Sequence, residues 1–258
     1  MTKTYRSGQF VWRELMSTDV AASVRFYTEV FGWKADPMKM PDGMDYTVVK
    51  AGETGVGGIM KLPVPNVPAY WGSSVSVDDV DATAKKAAAA GGKVIVPPMD
   101  AGGMGRYAGI LDPQGAVINV WRGNDGDMPA PERPGVGMFC WEQLNTTDPA
   151  QAALFYNQVF DWTNKPFGGG GGGGAGGDMK VFDAGPTSVA SVMANPPGVP
   201  AHWLTYVVVD KLTSAYDRVR QQGGKVMVER IDVPTVGTIG VIQDNVGAVI
   251  GVFEAPSA

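Results

Sequence analysis

Residues 10–33 read FVWRELMSTDVAASVRFYTEVFGW, and residues 139–162 read FCWEQLNTTDPAQAALFYNQVFDW. Trp12 matches Trp141, Asp19 matches Asp148, Phe26-Tyr27 matches Phe155-Tyr156 and Trp33 matches Trp162. The offset is 129 residues, half of the 258-residue chain. Further on, Trp71 matches Trp203, Asp78 matches Asp210, Gly91-Gly92-Lys93-Val94 matches Gly223-Gly224-Lys225-Val226, and Gly115–Ile118 matches Gly247–Ile250, now at an offset of 132. A chain that repeats in this way is read as two copies of one folding unit. The copies run over residues 1–123 and 137–258, with a polar Pro/Gly-rich linker at 124–136. The glycine run Gly168–Gly174 falls where the register slips. No Lys-Ser/Thr follows it and no helix starts there, so it reads as a flexible loop, with a lid over the second cleft as the alternative, and not as a phosphate cradle.

Each copy alternates strands and helices. Phe10–Leu15 is rich in strand formers. Asp19 is a helix N-cap, and Val20, Val24, Tyr27 and Phe31 then fall on one helical face. In the second copy Asp148 caps, and Pro149 takes the first helical position. Strand-like stretches follow at Tyr46–Lys50, Val56–Lys61 and Ser73–Val77. Asp78 or Asp79 caps a second helix over Val80–Ala90, which Gly91-Gly92 ends. Val94–Val96, Arg106–Leu111 and Ala116–Trp121 close the copy as strands. The order is β-α-β-β-β, repeated within each copy.

Composition limits the chemistry. One His and one Cys cannot build a Cys/His zinc site or a two-His iron site within one chain, and a lone Cys cannot close a disulfide. With 21 Lys+Arg against 26 Asp+Glu, the net charge of −5 offers no broad positive field for nucleic acid. No apolar h-region opens the chain, and no run of 18 apolar residues could span a membrane. A cytoplasmic protein is expected, with no nucleic-acid or membrane partner.

The stretches T-D-x-x-A-x-x-x-F-Y-x-x-V-F-x-W (Thr18–Trp33 and Thr147–Trp162), V-D-D-V-D-A (Val77–Ala82) and D-P-Q-G-A (Asp112–Ala116) resemble the vicinal oxygen chelate superfamily. Its members include glyoxalase I, extradiol dioxygenases and the bleomycin- and fosfomycin-resistance proteins. The resemblance covers nearly the whole chain twice. It implies an α+β fold of two tandem glyoxalase-like domains. Each would pair two β-α-β-β-β modules in a mixed sheet curled around a cleft. It also implies a divalent metal held by His, Glu or Gln from the first and last strands of the modules. Those positions hold Trp12, Gly72, Asn119 and the Gly58–Met60 stretch in the first copy. In the second they hold Trp141, Leu204, Gly251 and the Ala190–Met193 stretch. Neither set suits a hard or a borderline cation, so no metal and no cofactor is expected.

Strand alternation then names the cleft face. The first copy offers Trp12, Tyr70, Ser74, Asn119 and Trp121, with Glu14 as a candidate general base if burial raises its pKa. The second offers Trp141, Gln143, His202, Tyr206 and Phe253. Arg106 is added as a residue that could meet an anionic ligand. Aromatic walls with sparse polar groups suit a small aromatic or apolar metabolite. Trp12 and Trp141 could equally be core filler, and His202 a hydrogen-bonded strand start. Cys140 reads as an inert core thiol. Arg13 and Glu142 have helix-side parity, which suggests a strand edge. The expected function is binding of such a metabolite. The alternative is a lyase, an isomerase or a helper in oxidative tailoring, using Glu14 or an unrecognised metal site. A fused tandem can act as a monomer, and an exposed sheet edge could still pair into a homodimer.

Overall fold

The computed structural model describes residues 3–41, 43–168 and 179–256. Gly169–Gly174 of the glycine run lie outside the described residues. The first module holds β1 (Phe10–Ser17), α1 (Val20–Phe31), β2 (Lys34–Lys39), β3 (Asp45–Ala51) and β4 (Thr54–Lys61). The second holds β5 (Tyr70–Ser76), α2 (Val80–Ala89), β6 (Lys93–Asp100), β7 (Gly105–Leu111) and β8 (Val117–Gly123). The third holds β9 (Phe139–Thr146), α3 (Pro149–Phe160), β10 (Thr163–Pro166), β11 (Lys180–Ala184) and β12 (Thr187–Ala194). The fourth holds β13 (His202–Val209), α4 (Leu212–Gln221), β14 (Lys225–Val233), β15 (Gly237–Gln243) and β16 (Val249–Glu254).

The strands form two eight-stranded sheets, ordered β2-β3-β4-β1-β5-β8-β7-β6 and β10-β11-β12-β9-β13-β16-β15-β14. Both are mixed: β1 runs parallel to β4 and β5 to β8, while β3–β4 and β7–β8 are antiparallel. Each sheet is therefore one copy of the sequence repeat. Because β1 and β9 lie in the interior of their sheets, Arg13 and Glu142 are not at a strand edge. Arg13 lies over the Phe139 ring, 5.4 Å from its centroid. Glu142 is fully buried and accepts from the Ser73 hydroxyl at 2.9 Å. A buried polar side chain needs such a partner, and parity alone could not reveal it.

The chain divides into two compact units that mix the copies. One holds the chain up to Trp12, Ser73–Pro129 and Glu142–Trp203; the other holds Arg13–Gly72, Ala130–Trp141 and the chain from Leu204 onward. Each unit thus pairs a module of the first copy with a module of the second, and each has its own core.

The repeated motif is the material of those cores. Asp19 and Asp148 cap α1 and α3 through backbone amides of the first turn, and Asp79, not Asp78, caps α2. In the second unit Trp71 Nε1 donates to the Tyr27 hydroxyl (2.8 Å), which donates to Asp244 Oδ2 (2.9 Å). Asp244 Oδ1 accepts from the amides of Val246 and Ala248. The first unit repeats this with Trp203, Tyr156 and Asp112. Trp33 donates to the Gly137 carbonyl and Trp162 to that of Gly8. The stretch Phe-Tyr…Phe-x-Trp is thus spent on packing and on satisfying buried polar groups, which leaves it no free chemistry.

Among the described residues no helix is long and apolar enough to cross a membrane.

Candidate functional site

The sheet faces turned away from the helices carry the remaining chemistry. In the second unit, Leu15, Val49 and Ile59 point into the helix-covered core. Alternation therefore puts Glu14, Tyr46 and Gly58 on the opposite face. Parallel pairing of β1 with β4 sets Glu14 beside Gly58, and antiparallel pairing of β3 with β4 sets Val48 opposite Gly58 and Tyr46 opposite Met60. Tyr46 is thus a diagonal neighbour of Gly58. A β-carbon on Gly58 would fall well inside contact distance of the Tyr46 hydroxyl, so the phenol lies directly over the bare glycine. From there the hydroxyl hydrogen-bonds to the Glu14 side chain.

Burial pushes the Glu14 carboxyl above its usual range, and the Tyr46 hydrogen bond opposes that rise. Burial likewise raises the Tyr70 phenol, and the nearby Glu14 charge adds to it. A carboxyl raised in the folded state keeps its proton to higher pH than in the unfolded chain. Its stabilising contribution is complete below the ordinary Glu value of about 4.3, and it is lost as pH rises through the raised value. Glu14→Gln should remove this loss. Urea unfolding of both proteins across mildly acidic to neutral pH should show the variant gaining on the wild type as pH rises. A constant difference would contradict the assignment. The second copy carries Gln143 at this position, so glutamine suits the strand.

The other face segment of the second unit behaves differently. Register pairs Tyr206 with Gly251, and a β-carbon on Gly251 would collide with the Tyr206 ring. Tyr206 and Leu204 are buried, and burial drives the Tyr206 phenol upward. These two side chains therefore fill their own face rather than wall an open cleft. Phe253 lies over Gly237, where a β-carbon would meet its ring at 2.7 Å. Trp141 is half-buried. Cys140 is also only half-buried, so it is not a core thiol; its Sγ sits 3.5 Å from the Tyr206 carbonyl.

In the first unit, Ser74 pairs with Asn119, and Trp121 with Tyr107. Trp12, Ser74, Asn119 and Trp121 are all half-buried. Arg106 is not with them. Its neighbours Ala108 and Ile110 are core, so its parity is helix-side. It makes a bidentate pair with Asp81 of α2, including Nη2–Oδ1 at 2.8 Å. An arginine held in a fork by a carboxylate is not offered to an anion.

Also in the first unit, Gln143 Nε2 donates to Asn145 Oδ1 at 2.8 Å and contacts Met193 Sδ at 3.2 Å. Asn145 Nδ2 lies 3.4 Å from His202 Nε2, and His202 Nδ1 is 2.8 Å from the Pro200 carbonyl. A carbonyl only accepts, so Nδ1 donates to it. The lone His thus ends a chain of side-chain amides.

A surface hollow of about 370 Å³ lies elsewhere in the first unit, between Gly91, Gln114 and Leu154 on the helix side. No titratable group lines it.

Tyr46, Asn145 and Tyr107 are the face residues that the sequence did not single out. The signal for Tyr46 was the alternation of Tyr46 and Val48 against Val49, readable only once β3 is registered on β4. At the positions where a metal would be expected, the chain presents indole, glycine, leucine and one amide. Among the described residues no group of three or more His, Cys, Asp or Glu could hold a metal ion. The donor set does not fit a divalent cation.

Comparison with known proteins agrees with this architecture. The signature of the glyoxalase/bleomycin resistance protein/dioxygenase superfamily matches residues 9–120 and again 138–252, and the chain belongs to that superfamily. Among its relatives is CFP32 of Mycobacterium tuberculosis, a protein named as a glyoxylase. It is 34% identical over 255 residues, which cover 97% of this chain and 96% of that protein. The anthracycline biosynthesis protein DnrV of Streptomyces peucetius is 31% identical, covering 97% of this chain and 94% of its own. Among solved structures, the Mn(II)-bound glyoxalase from Novosphingobium aromaticivorans superposes with a TM-score of 0.63 at 15% identity, covering 96% of this chain and 82% of that one. The 2,3-dioxygenase LapB from Pseudomonas sp. KL28 gives 0.62 at 12%, covering 97% and 94%. At such identities the superpositions speak for the fold alone.

Proposed function

We propose that the chain binds a small aromatic or apolar metabolite on its open sheet faces and does so without the superfamily's metal. The carrying observation is the donor set: Trp12, Gly72 and Asn119 in one copy, and Trp141, Leu204 and a Gly251 covered by Tyr206 in the other. Half-buried Trp12, Trp121 and Trp141 give flat surface for stacking, and Ser74, Asn119 and Gln143 give sparse hydrogen bonds for orientation. Likeness to a protein of anthracycline biosynthesis supports a flat, fused-ring ligand. We place the protein in the cytoplasm, as a monomer or homodimer.

The test uses protein purified without a His-tag. Metal analysis is expected to find no stoichiometric divalent metal. Thermal-shift screening is expected to find planar aromatics that raise the melting temperature. A ligand at a hundred times its Kd adds about 2.7 kcal/mol, which is readily seen. Stoichiometric metal, or a panel in which no aromatic shifts the transition, overturns the reading.

One observation favours a second reading. Glu14, its carboxyl pushed up and held by Tyr46, is built as a general base or acid would be. On that reading the protein is a lyase, an isomerase or a helper in oxidative tailoring. Loss of turnover in Glu14→Gln, with ligand affinity kept, would separate it from pure binding.

A further inference from the structure

We propose that the Glu14–Tyr46–Tyr70 cluster is a subsite for a protonated amine carried by the aromatic ligand. This rests on the binding reading above and adds the charge of the ligand to it.

Three observations support it. First, Glu14 lacks a cation. Among the described residues no Lys or Arg forms an ion pair with it. Arg13, next in sequence, points to the other face and lies over Phe139. Lys34, Lys39 and Lys50 are paired with Glu53, Asp45 and Asp36. A carboxyl taken from water without a counter-charge is costly, and an incoming ammonium would supply that charge. Second, a carboxylate offers about four acceptor sites, and the Tyr46 hydroxyl uses one, so acceptor capacity remains. Third, the charge stands among aromatic rings. Tyr46 lies over Gly58, and Tyr70 is near enough for its phenol to feel the Glu14 charge. A carboxylate beside two phenol groups favours a cation, through the ion pair and through the lone pairs of the hydroxyl oxygens.

The same arrangement repels an anion and gives a neutral hydroxyl only an ordinary hydrogen bond. The second copy shows what the acid adds. There the equivalents of Glu14 and Tyr70 are Gln143 and His202, tied into the Gln143–Asn145–His202 chain. The two copies have thus diverged, one carrying a carboxyl at this position and the other an amide beside an imidazole.

The experiment is calorimetric titration of the full chain at neutral pH with three probes of one shape: 2-naphthylmethylamine, 2-naphthalenemethanol and 2-naphthoate. Charge-assisted hydrogen bonds are about twice as strong as neutral ones, so the amine should bind about tenfold tighter than the alcohol, with the naphthoate weakest. In Glu14→Gln the amine and alcohol affinities should converge. That variant carries the residue already present at the matching position of the second copy, and circular dichroism will verify its fold. Equal affinity of amine and alcohol in the wild type overturns the subsite and leaves the aromatic reading standing. So does an amine preference that survives Glu14→Gln. Failure of all three probes to bind overturns both together.

Discussion

Asp244→Ala is expected to destabilise the protein by about 3–5 kcal/mol, the cost of removing one partner from a buried charged network. Asp244 is 4% exposed and is the end point of a relay that starts at Trp71 and passes through Tyr27. Its other oxygen gathers two amides of its own turn. Alanine would leave a buried hydroxyl and two amides without acceptors while removing little apolar surface. Tyr27→Phe should cost less, about 1–3 kcal/mol, because it leaves only the Trp71 N–H and one carboxylate lone pair unmet. Asp112 holds the matching position in the first unit, with Tyr156 and Trp203. Asp112→Ala should therefore cost as much as Asp244→Ala. Urea unfolding measures all three, and a loss below 1 kcal/mol for either aspartate would show that the relay is not a structural anchor.

The relay explains what the sequence could and could not say. Its motif is readable because caps, helix stripes and glycine stops are local. Asp19, Asp148 and the Pro149 start follow from residues within one turn of each other. The partner of Tyr27 is 217 residues away, and no spacing rule reaches that far. The edge strands β2 and β10 were unnamed for another reason. Every residue of β2 and of β10 is exposed, so neither carries an apolar alternation to read. Alternation also put Tyr206 on the face away from the helices but could not show that it is buried there. A face is open only if the neighbouring strand leaves it open, and Gly251 instead lets the Tyr206 ring lie down. Arg106 failed on parity, since Tyr107 and not Arg106 shares a face with Trp121. Glu14 was legible as a carboxylate on the right face. Its hydroxyl partner was not, because Tyr46 reaches it only through the β1–β4 and β3–β4 registers.

Gly224→Ala should destabilise far more than Gly223→Ala, although the two glycines are adjacent and both stand in the repeated Gly-Gly-Lys-Val. Gly223 ends α4 with a φ of +80°, and a β-carbon there would approach nothing closer than Asn245 Cβ at 3.9 Å. Alanine at Gly223 would suffer only the left-handed backbone penalty, about 1 kcal/mol. Gly224 has no such backbone constraint, but its surroundings are closed. A β-carbon would sit 2.6 Å from the Gln243 carbonyl oxygen and 2.7 Å from the Phe26 ring. The oxygen belongs to a sheet backbone and the ring to a filled core, so neither can withdraw cheaply. Overpacking of this kind costs about 1–3 kcal/mol, and a clash with backbone belongs at the upper end. Gly92 repeats the geometry in the first unit, with the Phe155 ring at 2.8 Å and the Leu111 oxygen at 3.0 Å. The Phe of each Phe-Tyr pair thus seats on the second glycine of the other copy. Gly92→Ala should therefore behave like Gly224→Ala and not like Gly223→Ala. Phe26→Leu combined with Gly224→Ala should recover part of the loss, since it removes ring atoms where the methyl would go. Equal costs for Gly223→Ala and Gly224→Ala in urea unfolding would show that backbone conformation, and not the seating of Phe26, decides the second glycine.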